Sequence, residues 1–180
     1  MLYIKNKNKR GKMEIVKYPD SRLRSKTEEV PIEKIKSGEM QDIISKLVGA
    51  MVKNNGMGFS AIQVGLPYNL LIYRKKDGAI QPLFNAKILA CSGKYHVKKE
   101  GCLSIPGYRH DVKRSKMVVV TATTYEGNEI RLKEHKLMAA VLQHEIDHQN
   151  GILFIDRIKS KEKNKILKSL FGRIEGEIVG

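Results

Sequence analysis

The sequence predicts an α+β fold with antiparallel sheet and a C-terminal helix. Three observations predict it. Strand-like segments outnumber helix-like ones, they come in runs joined by hairpin-type turns, and no alternating βαβ units separate them. Residues 1–12, with five basic and no acidic side chains, read as a loose basic arm. Tyr18-Pro19-Asp20 reads as a turn, because proline presets one turn dihedral and aspartate can bond neighbouring backbone. From Glu39 to Asn54, Met40, Ile43, Ile44, Leu47, Val48 and Met51 recur at the amphipathic-helix period, and Asn54-Asn55-Gly56 supplies a stop. Leu70–Tyr73 is short and apolar and is followed by Asp77-Gly78, a strand and a turn, with Pro82–Leu89 as partner strand. Met117–Tyr125, rich in Val and Thr, leads through Glu126-Gly127-Asn128 to Ile130–Leu132, a hairpin. Between Lys136 and Gln149, Leu137, Val141, His144 and His148 step by four, three and four, which again is helical. Ile158–Phe171 gives a last helix, with Ile158, Ile166, Leu167 and Leu170 as its apolar positions.

Composition narrows the function classes. A chain of 180 residues, 41% hydrophobic and 29% charged, fits one globular domain with its own core and not a disordered segment. Its longest apolar run, Leu137–Leu142, is far from the roughly 20 residues a membrane span needs. Two cysteines, Cys91 and Cys102, exclude a disulfide-stapled secreted scaffold. No apolar stretch follows the basic N-terminal residues, so they do not read as a signal peptide, and a soluble, reduced, intracellular domain is expected. Residues 1–12 carry +5 and residues 157–173 carry +6, most of the chain's net +15. Such a distribution can steer a protein toward a polyanion such as RNA or a membrane surface, and equally describes lysine-rich solvated faces. The arginine-plus-aromatic pattern of RNA-stacking modules is missing, so neither a sequence-specific nucleic acid nor a membrane is expected as a partner.

The chemistry concentrates in three segments. In His144-Glu145-Ile146-Asp147-His148, the histidines at i and i+4 share one helix face and can grip one metal ion, with Glu145 as a base beside it. Chance spacing is the competing reading, but both histidines continue the stripe of Leu137 and Val141 and should face inward. A catalytic site of this kind takes a third protein ligand and leaves a position for water. Asp147 points elsewhere on the helix. The extended pattern His-Glu-x-x-His-x-x-Gly-x-x-His is met at Gly151 but ends on Phe154, and the stretch 166–172 has no acid. Asp156, Glu162 and Glu175 remain downstream, in no motif. Cys102, in Glu100-Gly101-Cys102-Leu103-Ser104, is the better third ligand, since a thiolate with two imidazoles makes a workable set, although taken alone it reads more readily as an inert buried thiol. Nothing around Cys91 suggests a site. Gly56-Met57-Gly58-Phe59-Ser60-Ala61-Ile62-Gln63-Val64-Gly65 is either a tight turn or backbone that a ligand approaches closely, and it matches neither a dinucleotide fingerprint nor a phosphate loop.

Together the three segments resemble the peptide deformylase family, whose motifs run Gly-x-Gly-x-Ala-Ala-x-Gln, Glu-Gly-Cys-Leu-Ser and Gln-His-Glu-x-Asp-His in this order. The second is complete at Glu100–Ser104 and the third at Gln143–His148. The first runs from Gly56 to Gln63, with Ser60 for the first alanine and Ile62 where many members carry proline. The resemblance covers about residues 13–158 as a catalytic domain, leaving 159–180 as a basic C-terminal helix and tail. It implies antiparallel sheets around a central metal-binding helix, and removal of the N-formyl group from the formyl-methionine of new polypeptides, releasing formate. It implies Cys102, His144 and His148 as metal ligands, Glu145 as the proton carrier, and the Gln63 side chain and Leu103 N–H as oxyanion donors. The backbone of Met57, Gly58 and Gly101 would bind the substrate chain. Met57, Arg109, Leu137, Ala140 and Val141 would shape the methionine pocket, made roomier by the small Ala140. The implied cofactor is one divalent ion, Fe2+ physiologically, with Zn2+, Ni2+ or Co2+ in purified protein. The implied partners are N-formylmethionyl nascent peptides, and the basic segment 157–173 adds the ribosome, docked through the C-terminal helix, as a further expectation. The implied location is the cytoplasm, in a family with organellar and viral members. Two other readings compete: a His-Glu-x-x-His peptidase with a downstream third ligand, and a ribosome- or RNA-binding protein with a vestigial site.

Overall fold

The computed structural model describes residues 14–178, with side chains described as far as Gly172. The basic arm 1–12 and the side chain of Arg173 lie outside the described residues. After the cis Tyr18–Pro19 bond and a short 3-10 turn at Ser21–Arg24, the chain forms α1 (Ile32–Lys36), α2 (Met40–Lys53) and β1 (Gly58–Ser60). A 3-10 turn at Ala61–Val64 leads to β2 (Leu70–Arg74), β3 (Ile80–Ser92), β4 (Tyr95–Cys102), β5 (Ile105–Arg114), β6 (Met117–Thr123) and β7 (Glu129–His135). Helix α3 (Lys136–Gln149), a 3-10 turn at Phe154–Arg157 and α4 (Ser160–Ile178) complete the fold.

Five strands pair antiparallel in the order β1-β2-β3-β6-β7, and β4-β5 form a separate hairpin. The run Leu70-Leu71-Ile72-Tyr73 explains how the sheet is covered. Successive strand residues point to opposite faces. Leu70 and Ile72 pack with Ile44, Leu47 and Met51 of α2, while Leu71 and Tyr73 pack with Ala139, Leu142 and Ile146 of α3. An unbroken apolar run therefore marks a strand buried on both faces. Strand β6 instead buries every second residue, Val118, Val120 and Ala122, toward α3. A third core joins Val16, Leu23, Val112, Phe154, Ile166 and Leu170, so the N-terminal segment and α4 together clamp the outer side of the β4-β5 hairpin.

The expected helices at 39–54, 136–149 and 158–171 form, as do the strands at 70–73 and 82–89 and the hairpin at 117–132. Strand β3 runs past its expected end through register shifts after Phe84 and Ile88, which break the alternation that would have marked it. The segment 56–65 contains strand β1 and a 3-10 turn, more than a tight turn. No signal pointed to α1 or to β4-β5. The two strands of the hairpin bury only Glu100, Ile105, Val112 and Arg114, two of them charged, so they carry no apolar period. The chain leaves α3 through Gly151 at φ +70, where a Cβ would run into the Arg24 backbone. Among the described residues no helix is long and apolar enough to cross a membrane.

Candidate active site

Helix α3 lies between the five-stranded sheet and the β4-β5 hairpin and is buried almost all round from Met138 to Gln149. That position explains why its polar residues, His144, Glu145, Asp147 and His148, face protein instead of water. Cys102 ends β4, where the hairpin turns back to Ile105. Its Sγ sits 3.1 Å from His148 Nε2. The ligand atoms of Cys102, His144 and His148 all lie within 4.8 Å of one another, the one such trio of histidine, cysteine and acidic residues among the described residues. Two of the downstream acids are engaged elsewhere, Asp156 with Arg24 and Lys163 and Glu162 with Lys165, and the side chain of Glu175 lies outside the described residues.

Within the trio, His144 is oriented by a neighbour, whereas His148 Nδ1 has no hydrogen-bond partner among the described residues. Glu100 Oε1 accepts from His144 Nδ1 at 2.7 Å, which leaves Nε2 of that ring for the cluster. Glu100 is itself gripped by Arg114, through Nη2 to Oε1 at 2.6 Å and Nε to Oε2 at 2.9 Å. Arg114, with its side chain 1% exposed, also donates Nη1 to Asp147 Oδ2 at 2.7 Å. Arg157 donates Nε to the same Asp147 oxygen at 2.5 Å and pairs with the other through Nη2. Asp147 is thus a structural acid, as its angular position on the helix predicts. Burial alone would raise the Glu100 carboxyl, but Arg114 and His144 hold it down to about 2. Burial would likewise raise the Cys102 thiol, yet the two imidazoles bring it well below its usual value. His144 is raised well above its usual value: burial opposes its charge, and bonds to Cys102 and Glu100 prevail. A thiolate with two imidazoles, converging, with His148 buried and Cys102 and His144 partly open to the cleft, fits a borderline divalent cation.

Glu145 is 3% exposed, and its Oε2 has no hydrogen-bond partner among the described residues. Burial pushes its carboxyl up to about 7, with His144 and His148 opposing and Cys102 adding. Gly58 gives it room, since a Cβ there would lie 2.5 Å from Glu145 Oε1. Gln63 is fixed by elimination. Its Oε1 accepts the Ser60 N–H at 2.9 Å, which turns Nε2 toward Ser104 Oγ at 3.2 Å and Cys102 Sγ at 3.5 Å. Leu103 follows at the hairpin turn, its carbonyl accepting from Lys17 Nζ at 2.6 Å.

Above this cluster opens a cleft of about 490 Å³. One wall is α3, with Leu137 at the exposed mouth and Ala140 and Val141 deeper. Met57 and Gly58 form the second wall, and Gly101 and Arg109 of the hairpin form the third. His148 lies beneath, 1% exposed. The structure therefore gathers every residue singled out from the sequence. Sequence reasoning missed Lys17 and the pairing of Arg114 with Glu100 and Asp147. Glu100 stood inside a recognised motif, but nothing distinguished Arg114 among 34 basic residues. If this cluster is the metal site, Cys102→Ala will bind no stoichiometric zinc or iron. Glu100→Gln will keep an ion, but with affinity lowered about 10- to 100-fold in chelator competition. Unchanged affinity in Glu100→Gln would show that the bond to His144 does not tune the site.

Comparison with known proteins agrees with this geometry. The family model described as Polypeptide deformylase matches residues 12–164. A peptide deformylase of Borreliella burgdorferi is 40% identical over 87% of this chain and 93% of its own length. One of Thermodesulfovibrio yellowstonii is 37% identical over 88% and 96%. The crystal structure of the Ehrlichia chaffeensis peptide deformylase in complex with actinonin superposes with a TM-score of 0.82 at 31% identity, covering 89% of this chain and 96% of that one. Arabidopsis thaliana peptide deformylase 1B, solved with an inhibitor, gives a TM-score of 0.82 at 32% identity over 92% and 93%. With matching sequence along most of its length, the same α+β fold, and one buried thiolate–imidazole cluster in the cleft, the chain belongs to the polypeptide deformylase family.

Proposed function

We infer that Glu145, Gln63 and the Leu103 backbone carry this chain's reaction, the hydrolytic removal of the N-formyl group from the formyl-methionine that begins new polypeptides, with release of formate. The observation that carries the assignment is the unpartnered, buried Glu145 carboxylate beside the Cys102–His144–His148 cluster. A divalent metal held by those three side chains supplies an activated water and polarises the formyl carbonyl when bound. Glu145, near neutrality in its affinity for a proton, accepts the proton that the attacking water loses and returns it to the departing amine nitrogen. The new C–O bond and the broken C–N bond leave formate and a free methionine amine. Gln63 Nε2, locked by the Ser60 N–H, and the Leu103 N–H donate to the oxygen on which negative charge develops. Because these donors are fixed beforehand, no reorganisation is needed during the reaction. The substrate backbone lies extended between Gly58 and Gly101, with the methionine side chain among Leu137, Ala140, Val141 and Met57, and Arg109 at the rim.

The ion is Fe2+ in this proposal, and Zn2+, Ni2+ or Co2+ can take its place in purified protein. The family resemblance supports iron, and the soft sulfur ligand supports a transition metal over magnesium or calcium. The cellular setting is the cytoplasm, where nascent chains emerge, with 13–158 as the catalytic unit. The ribosome is the partner proposed for α4, whose Ile166 and Leu170 face the core while Lys161, Lys165 and Lys168 face outward.

Anaerobically prepared, metal-loaded protein will release formate from formyl-Met-Ala-Ser. Glu145→Gln will keep its metal and lose activity about 100-fold or more. A metal-loaded parent that leaves the peptide intact would overturn the reading. For the ribosome, Lys161, Lys165 and Lys168 changed together to Glu keep the buried face of α4 and will abolish co-pelleting at low salt. Co-pelleting equal to the parent's would remove that role.

A further inference from the structure

The cleft differs in charge between floor and rim. Both carboxylates that reach it are withdrawn: Glu100 is turned inward onto Arg114 and His144, and Glu145 is buried at the floor. The rim is cationic. Lys17, Lys98, Lys99 and Arg109 all line the cleft and all are exposed. Among the described residues only Lys98 of these four has a carboxylate partner, Asp111 at 3.0 Å. Lys17 donates to the neutral Leu103 carbonyl, and Arg109 Nη1 reaches the Lys99 carbonyl at 3.4 Å, so neither charge is met by a carboxylate among the described residues. The Lys99 side chain has no partner among the described residues.

Their placement relates them to one part of the substrate. The Arg109 side chain lies across Gly101, where a Cβ would meet its Cγ at 3.2 Å and its Nη1 at 3.5 Å. Lys99 precedes Cys102 by three residues on β4, in a bulge where its φ is +52 and the pairing with β5 shifts register. An extended peptide whose formyl group reaches Cys102 and Glu145, with its methionine side chain in the pocket, carries its next residues out toward the rim that Lys17, Lys99 and Arg109 line.

We propose that this chain selects formyl peptides bearing Asp or Glu at the second and third residues, through the uncompensated rim cations Lys17, Lys99 and Arg109. The proposal rests on the reading of the cleft as the formyl-peptide site. Opposite charges at a partly exposed rim attract weakly one by one, but three cations act in the same direction while Asp111, which accepts from the Lys99 N–H, is paired with Lys98, and salt screens them.

The test compares kcat/KM of the metal-loaded full chain on formyl-Met-Glu-Glu, formyl-Met-Lys-Lys and formyl-Met-Ala-Ser, all as C-terminal amides so that no terminal carboxylate intervenes. At low ionic strength the acidic peptide will be preferred over the basic one by about fivefold or more. At 1 M salt, where the screening length is about 3 Å, the ratio will approach one. Lys99→Glu will lower or reverse the low-salt ratio. Lys99→Asn, which tolerates the local φ of +52, will lower it without reversal. Cleavage of all three peptides at equal kcat/KM, or a ratio indifferent to salt and to Lys99→Glu, would overturn the preference and leave the deformylase reading intact. No cleavage of formyl-Met-Ala-Ser would overturn both.

Discussion

The arrangement depends on one buried guanidinium. Arg114, from the end of β5, bridges Glu100 of β4 and Asp147 of α3 with its side chain 1% exposed. A charged group so far from water is tolerated only where its donors and its charge are met, and here two carboxylates do both. Removing the arginine would leave Glu100 with His144 alone and Asp147 with Arg157 alone, a loss that approaches but does not exceed the about 3–5 kcal/mol of breaking a fully buried pair. The bridge also sets geometry. It fixes Glu100, Glu100 fixes the His144 ring, and the ring presents Nε2 toward Cys102. A hairpin with few apolar side chains is thereby fastened to a helix at the spot where both contribute to one cluster.

The other side of the hairpin is held by different means. The N-terminal segment bonds through Val16 N–H to the Gln63 carbonyl, and through Tyr18 N–H to the Ser104 carbonyl. Lys17, between them, reaches the Leu103 carbonyl. Three consecutive residues of one extended segment thus tie down the loops that carry the proposed oxyanion donors. Phe154, Ile166 and Leu170 back the same region with apolar packing. Floor and rim follow opposite electrostatic rules: buried acids and a thiolate face buried cations within, while the exposed rim keeps positive charge unpaired.

Legibility from sequence followed burial pattern. Helix α3 was visible because Leu137, Val141, His144 and His148 keep a helical step, and β2 because four apolar residues stand together. The β4-β5 hairpin was invisible because its buried positions include Glu100 and Arg114, and a salt bridge has no period. For the site, ligand residue types and spacing were enough to nominate His144 and His148, and the Glu-Gly-Cys-Leu-Ser segment brought in Cys102. Orientation was out of reach: neither the choice of imidazole nitrogen nor the direction of the Gln63 amide exists before Glu100 and the Ser60 N–H are placed. Lys17 had no sequence signal at all, because its role comes from lying beside Leu103, 86 residues away.

The central claim is that helix and hairpin jointly make one metal site, with sulfur from β4 and two imidazoles from α3. X-ray absorption at the metal edge of the loaded, anaerobic protein tests it most directly. One sulfur and two imidazole scatterers are predicted, and the sulfur contribution will vanish in Cys102→Ser. A shell of imidazole and carboxylate ligands without sulfur would contradict the account.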